Sequence, residues 1–102
     1  MNHVELTACI AEASPLRYTP AGIPVANFVL EHESEIAEAG IIRQVKLTVR
    51  AAAFGALAEQ SAKSPLGQPF RFTGFLINAR TSKSVVFHIQ ALHKVEQVPN
   101  PI

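Results

Sequence analysis

Three prolines and a glycine fall within the eleven residues SPLRYTPAGIP at 14–24. Proline fixes φ and removes a backbone donor, and glycine is a poor helix former. No helix can therefore form between the runs on either side. The first run, HVELTACIAEA, alternates: Val4, Leu6, Ala8 and Ile10 share one face, and Glu5, Thr7, Cys9 and Ala11 the other. A period of two predicts a half-buried strand. After the turn, Val25 to Glu33 reads as a second strand with Ala26, Phe28 and Leu30 on one face. Two strands joined without a helix exclude the ferredoxin-like β-α-β-β-α-β order.

The rest of the chain completes the pattern. ESEIAEAG is polar, ends in Gly40 and reads as a loop. A third strand runs from Ile42 to Arg50, with Val45, Leu47 and Val49 opposite Gln44, Lys46, Thr48 and Arg50. In AAAFGALAEQSAK the period changes, and Phe54, Leu57, Ala58 and Ser61 fall at helical spacing. Ser64-Pro65 and Gly67 end that helix. The fourth strand, Pro69 to Asn78, places Phe70, Phe72, Gly74 and Leu76 on one face, and a glycine at that point predicts a bulge or sharp bend. ARTSKS is a short basic loop. The last strand, Val85 to Val98, places Val85, Phe87, Ile89, Ala91, His93 and Val95 on one side. The β-β-β-α-β-β order predicts an all-β fold with one short helix: the five-stranded Greek-key barrel known as the OB-fold. At 102 residues the chain is expected to form one domain, residues 1–98, followed by a flexible tail at 99–102.

Several functional classes find no support. Apolar residues make up 48 % and charged residues 17 %, as in a globular protein rather than a disordered one. No apolar run reaches the roughly 18 residues of a membrane span, and the N-terminal residues lack a secretion signal. A cytoplasmic location is expected. A single cysteine rules out an internal disulfide, and Cys9 reads as a small buried hydrophobe. His88 and His93, an odd number apart on one strand, are expected on opposite faces, and neither C-x-x-C nor H-E-x-x-H occurs. No metal or cofactor is expected. Phosphate-cradling glycine loops and a G-x-S-x-G elbow are missing too. A small β-barrel hydrolase is therefore set aside, and the chain is read as non-catalytic.

Charge placement points to a binding role. The formal net charge is only +1, and all eight acids are glutamates. Four of them, Glu31, Glu33, Glu35 and Glu38, cluster within eight residues, whereas eight of the nine Lys and Arg follow Ile42. The usual oligonucleotide surface of an OB-fold is built from its second and third strands and its 1-2 and 4-5 loops. Arg17 and Tyr18 lie in the first loop, Arg43, Lys46 and Arg50 on the third strand, and Arg80 and Lys83 in the last loop. These seven residues form the expected nucleic-acid site, since cations there neutralise phosphates and release counterions. Aromatic platforms are scarce: there is no Trp, and Phe28, Phe70, Phe72 and Phe87 follow inward parity. Tyr18 and Phe75 remain as candidates for stacking on bases. The alternative is a protein-interaction adaptor with weak or no intrinsic DNA binding, in which the groove mainly binds other replication proteins; separately, the glutamates could steer a basic partner.

The central block strengthens the first reading. P-L-R at 15–17, P-x-G-I-P at 20–24, F-V-L-E-H at 28–32, A-G at 39–40, R-Q at 43–44 and G-F at 74–75 resemble the bacterial single-stranded DNA-binding protein superfamily, in particular its small members limited to the OB domain. The resemblance implies a homodimer that binds single-stranded DNA and helps restart stalled replication, alongside a primosomal helicase, other primosome proteins and the single-strand binding protein. It places DNA contacts on the third strand and the 4-5 loop, at Arg43, Lys46, Arg80 and Lys83. Lys46 stands where some relatives carry a stacking Trp, and the loop NARTSKS is short.

Overall fold

The computed structural model describes residues 1–95. The expected end of the last strand (96–98) and the tail (99–102) lie outside these residues. The chain forms β1 (Val4–Ala13), a two-residue β2 (Arg17–Tyr18), β3 (Pro24–Glu38), β4 (Ile41–Phe54), α1 (Ala56–Ala62), β5 (Pro69–Asn78) and β6 (Val85–Lys94). The sheet order is β1-β5-β6-β4-β3-β2, and β1 also pairs with β3, which closes the barrel. Closure depends on β1 changing partners. Its first half, Val4 to Cys9, pairs with β5, and its second half, Cys9 to Ala13, pairs with β3 across a bulge between Ile10 and Glu12. A short parallel pairing, Ala51 with Phe87 and Ala52 with His88, joins β4 to β6. This is the expected OB-fold, with the helix between the fourth and fifth strands of a chain whose β2 is vestigial.

The core follows the period-two pattern. Ala8 and Ile10 of β1, Ala26, Phe28 and Leu30 of β3, Phe70 and Phe72 of β5, and Phe87 and Ile89 of β6 are all buried. Phe70 and Phe72 meet edge to face at 6.1 Å, a preferred aromatic geometry. Cys9, on the opposite parity, is half-buried rather than part of this core.

Four expectations are corrected. The glutamate segment is not a loop. β3 continues through it to Glu38 and pairs with β4 residue by residue, from Val25 opposite Phe54 to Glu38 opposite Ile41. The pairing carries a long hairpin arm beyond the barrel, because cross-strand partners compensate for the polar composition. The third long strand does not stop at Arg50. It runs to Phe54, and the helix begins only at Ala56. Gly55 makes the break, with φ 70° and ψ −144°, a backbone conformation reserved almost entirely for glycine. Alanine-rich composition favoured helix over 51–54, but burial of Ala51 and Ala53 in the barrel outweighs propensity.

The other two corrections concern β6. The register steps from Thr73 opposite Ala91 to Gly74 opposite Ile89, which leaves Gln90 as the extra residue of a bulge. The expected irregularity at Gly74 therefore lies on the facing strand. A side chain at Gly74 would meet the His88 carbonyl oxygen at 1.9 Å, so glycine is what lets the two backbones approach. Beyond the bulge the parity inverts. Leu92 packs against the core, and Ala91 and His93 turn outward instead of joining Phe87 and Ile89. His88 and His93 thus share the outer face, opposite Phe75 and Arg71. Among the described residues no group of three His, Cys, Asp or Glu is arranged to hold an ion.

Candidate nucleic-acid interface

The outer face of β4, β6 and β5 carries a feature the periodicity hides. Phe54, at the end of β4, stacks on His88 of β6 with ring centroids 4.8 Å apart and planes 19° from parallel. His88 stacks in turn on Phe75 of β5, at 4.6 Å and 14°. Three rings from three strands form one continuous stack. The strand pairing builds it: His88 lies beside Ala52 on one side and Phe75 on the other, and Phe54 reaches across the small Ala52. Phe54 remains 43 % exposed. Burial between the two phenyl rings holds the His88 imidazole below its ordinary pKa, which favours the neutral ring.

Cations border the stack on several sides. Arg17 of β2, Val25 of β3 and Phe54 of β4 lie in one row across the sheet. Arg50, four residues before Phe54, shares its outward parity and lines a cleft with Glu12, Asn27, Val29 and Val86. The β5–β6 loop rises just past the Ile77–Val86 pair and carries Arg80 and Lys83, both exposed. That loop is well tied. The Ala79 amide donates to the Ser84 carbonyl at 2.8 Å, and the Asn78 side-chain amide to the Lys83 carbonyl at 3.0 Å. Its shortness therefore holds the two cations beside the sheet. Tyr18 is 61 % exposed at the β2 edge and joins no ring stack.

Arg43 and Lys46 sit apart from this group, on the arm. The Arg43 guanidinium contacts Glu38 at 3.2 Å, and the Lys46 ammonium faces Glu33 at 3.9 Å. Gln44 donates to Glu35 at 2.6 Å. The glutamates thus balance the third-strand cations locally. Among the described residues, Arg17, Arg50, Arg80 and Lys83 have no ion-pair partner. Of the seven expected residues, Arg17 and Arg50 lie on the face that carries the stack, and Arg80 and Lys83 on the loop that follows β5. Tyr18 lies at the exposed β2 edge, and Arg43 and Lys46 are held in ion pairs on the arm. Phe54 and His88 are additions. Phe54 fitted a helix face and His88 stood among apolar residues, so only the strand's true end and the register bring them together.

The arm is anchored by a histidine. With its proton on Nδ1, His32 donates to the Thr7 carbonyl at 2.6 Å, and its Nε2 accepts from the Ser34 hydroxyl at 2.8 Å. It spans the gap where β1 leaves β3 for β5.

A closed OB barrel with exposed stacked rings beside unpaired cations is the architecture of a nucleic-acid-binding module. Residues 2–91 match the model of a family described as another single-strand binding protein family. The replication restart protein PriB of Bordetella pertussis is 44 % identical over 96 residues, covering 93 % of this chain and 90 % of that protein. The chain therefore belongs to the single-strand binding protein family and, within it, to the replication restart PriB proteins. PriB of Neisseria gonorrhoeae is 48 % identical over a shorter stretch, 58 % of this chain and 59 % of that one. The crystal structure of PriB from Ralstonia solanacearum superposes with a TM-score of 0.84 at 34 % identity, covering 94 % of this chain and 99 % of that one. The single-stranded DNA binding protein of Thermus aquaticus shares the fold, with a TM-score of 0.75 at 21 % identity over all of this chain and 44 % of that one.

Proposed function

We propose that the outer face of β4, β6 and β5, with the β5–β6 loop, carries the single-stranded DNA that this replication-restart accessory protein binds. The observation that carries this reading is the Phe54–His88–Phe75 stack within a ring of unpaired cations. Phosphates run across Arg17, Arg50, Arg80 and Lys83, while a base stacks on the exposed end of the ring array at Phe54. Tyr18, next to Arg17 on β2, has the opposite parity and leaves the stacking to Phe54. Arg43 and Lys46 contribute less, because each must first leave a glutamate. Binding involves no chemistry of its own and no cofactor.

The protein works as a homodimer in the cytoplasm and brings bound DNA to a primosomal helicase, other primosome proteins and the single-strand binding protein. Pairing is supported by β1, whose residues Val4 to Ala8 pair with β5 on one edge and have no described strand on the other. None of the described helices is long and apolar enough to cross a membrane.

Fluorescence anisotropy with labelled oligo-dT tests the site. Replacing Arg80 and Lys83 together by alanine weakens binding and lowers the salt slope by roughly 1.4, at about 0.7 per single-strand phosphate contact. Phe54→Ala costs about 1–3 kcal/mol, the range for losing one base stack. An unchanged titration at low salt in both variants rejects this face. No binding by the unaltered protein favours the adaptor reading.

A further inference from the structure

A second concentration of cations lies outside the proposed DNA track. Past the bulge in β6, His93 sits opposite Arg71 and Lys94 opposite Phe70. Lys63, which follows α1 directly, faces the same space. These four residues border an open cleft of about 930 Å³ between the end of α1 and the ends of β5 and β6, and among the described residues no acid lines it. Glu5 reaches Arg71 from one side, at 3.2 Å from Nε, and leaves the guanidinium about half exposed. Among the described residues Lys63 and Lys94 have no ion-pair partner.

The wall between the cations is apolar. Pro65, Leu92 and Val95 line it, and Phe70 closes it from the barrel side. Phe70 is buried, so the cleft offers no exposed phenyl ring, and its accessible ring is the single His93 imidazole on the rim. Aliphatic floor and cationic rim suit a chain with spaced carboxylates and interleaved apolar side chains. A base would favour the Phe54–His88–Phe75 platform, which lies further along β5. Arg71 and Phe75 are four residues apart, about 13 Å along a strand.

We propose that this cleft binds an acidic peptide segment of a partner protein, one whose carboxylates alternate with aliphatic residues. The carboxylates meet Lys63, Arg71, His93 and Lys94, and the aliphatic side chains settle on Leu92 and Pro65. Arg71 and His93 lie further along the same outer face of β5 and β6, but the site uses neither the Phe54–His88–Phe75 stack nor its four cations, so the protein can hold DNA and a partner together.

The test is anisotropy of a labelled peptide of repeated Asp-Leu-Glu, at low salt, run beside labelled oligo-dT. The unaltered protein binds the peptide. The Lys63→Glu/Lys94→Glu variant loses about tenfold in affinity, through two lost exposed pairs and added repulsion. Lys63→Arg/Lys94→Arg retains it, and oligo-dT binding is unchanged in both variants. The inference is overturned if the unaltered protein ignores the peptide, if the Glu variant binds it equally, or if an Asn-Leu-Gln peptide binds as well. It is also overturned if peptide and oligo-dT binding fall together in the Glu variant, because the cleft would then extend the nucleic-acid track. Peptide binding without oligo-dT binding in the unaltered protein keeps this inference and rejects the DNA face.

Discussion

Single residues set the tolerances of the outer face. Gly74 is the tightest: a methyl group there would overlap the His88 carbonyl and touch the Phe87 ring. Gly74→Ala must push β6 off β5, and the expected loss of stability is on the order of 3 kcal/mol, as for severe overpacking. A thermal or urea melt measures it. His88 ties stability to pH. Its folded pKa is lowered by burial, so below about pH 6.5 the unfolded chain takes up the proton first. The contribution is complete above that pH and is lost as pH falls through the folded value. His88→Phe keeps three stacked rings without titration, so its melting temperature should fall less than the wild type's as the pH is lowered. What was legible at this scale was parity. Phe28, Phe70, Phe72 and Phe87 lie inside as alternation predicts. His93 was misplaced because one extra residue, Gln90, inverts every position after it, and no residue type announces that insertion.

Among the elements, the β3–β4 arm departs most from its composition. The eight residues ESEIAEAG, with three glutamates, look like a loop, yet the pairing Glu33–Lys46 and Glu35–Gln44 keeps the first six of them in strand. Cross-strand complementarity is invisible until the register is known, which is why the strand's length escaped prediction while its start did not. The same complementarity decides what the arm does to DNA. Replacing Glu33 and Glu35 by glutamine releases Lys46 from its partner and removes two charges that repel phosphate. Oligo-dT affinity should rise by up to about fivefold at low salt, the scale of exposed ion pairs, and the gain should vanish as salt screens it. The short β5–β6 loop was read correctly as basic. Its rigidity became evident only from the hydrogen bonds of Asn78 and Ala79.

Across the whole molecule, a net charge of +1 conceals three separate fields: an arm where glutamates outnumber the two bases they pair with, a cationic ring-bearing face, and the basic cleft beyond the bulge. Four unpaired cations on the face imply a salt slope of about −2.8, at roughly 0.7 per contact. A much steeper slope in a titration from low to moderate salt would mean that the arm or the cleft also holds phosphate. The barrel itself was legible because five alternating runs and a helix-free first turn leave few architectures open.

The partner exchange of β1 also orders events in time. Val4 pairs with Gly74 and Cys9 with Pro69, separations of sixty residues or more. Contacts so distant in the chain are slow to form, because the loop must close before they stabilise anything. On the ribosome, the first half of the first strand made must wait for β5. The β3–β4 hairpin, with its local pairings, can stand earlier, but the barrel and both binding surfaces come into being only once β5 has emerged to receive β1 and β6 to join β5 to β4.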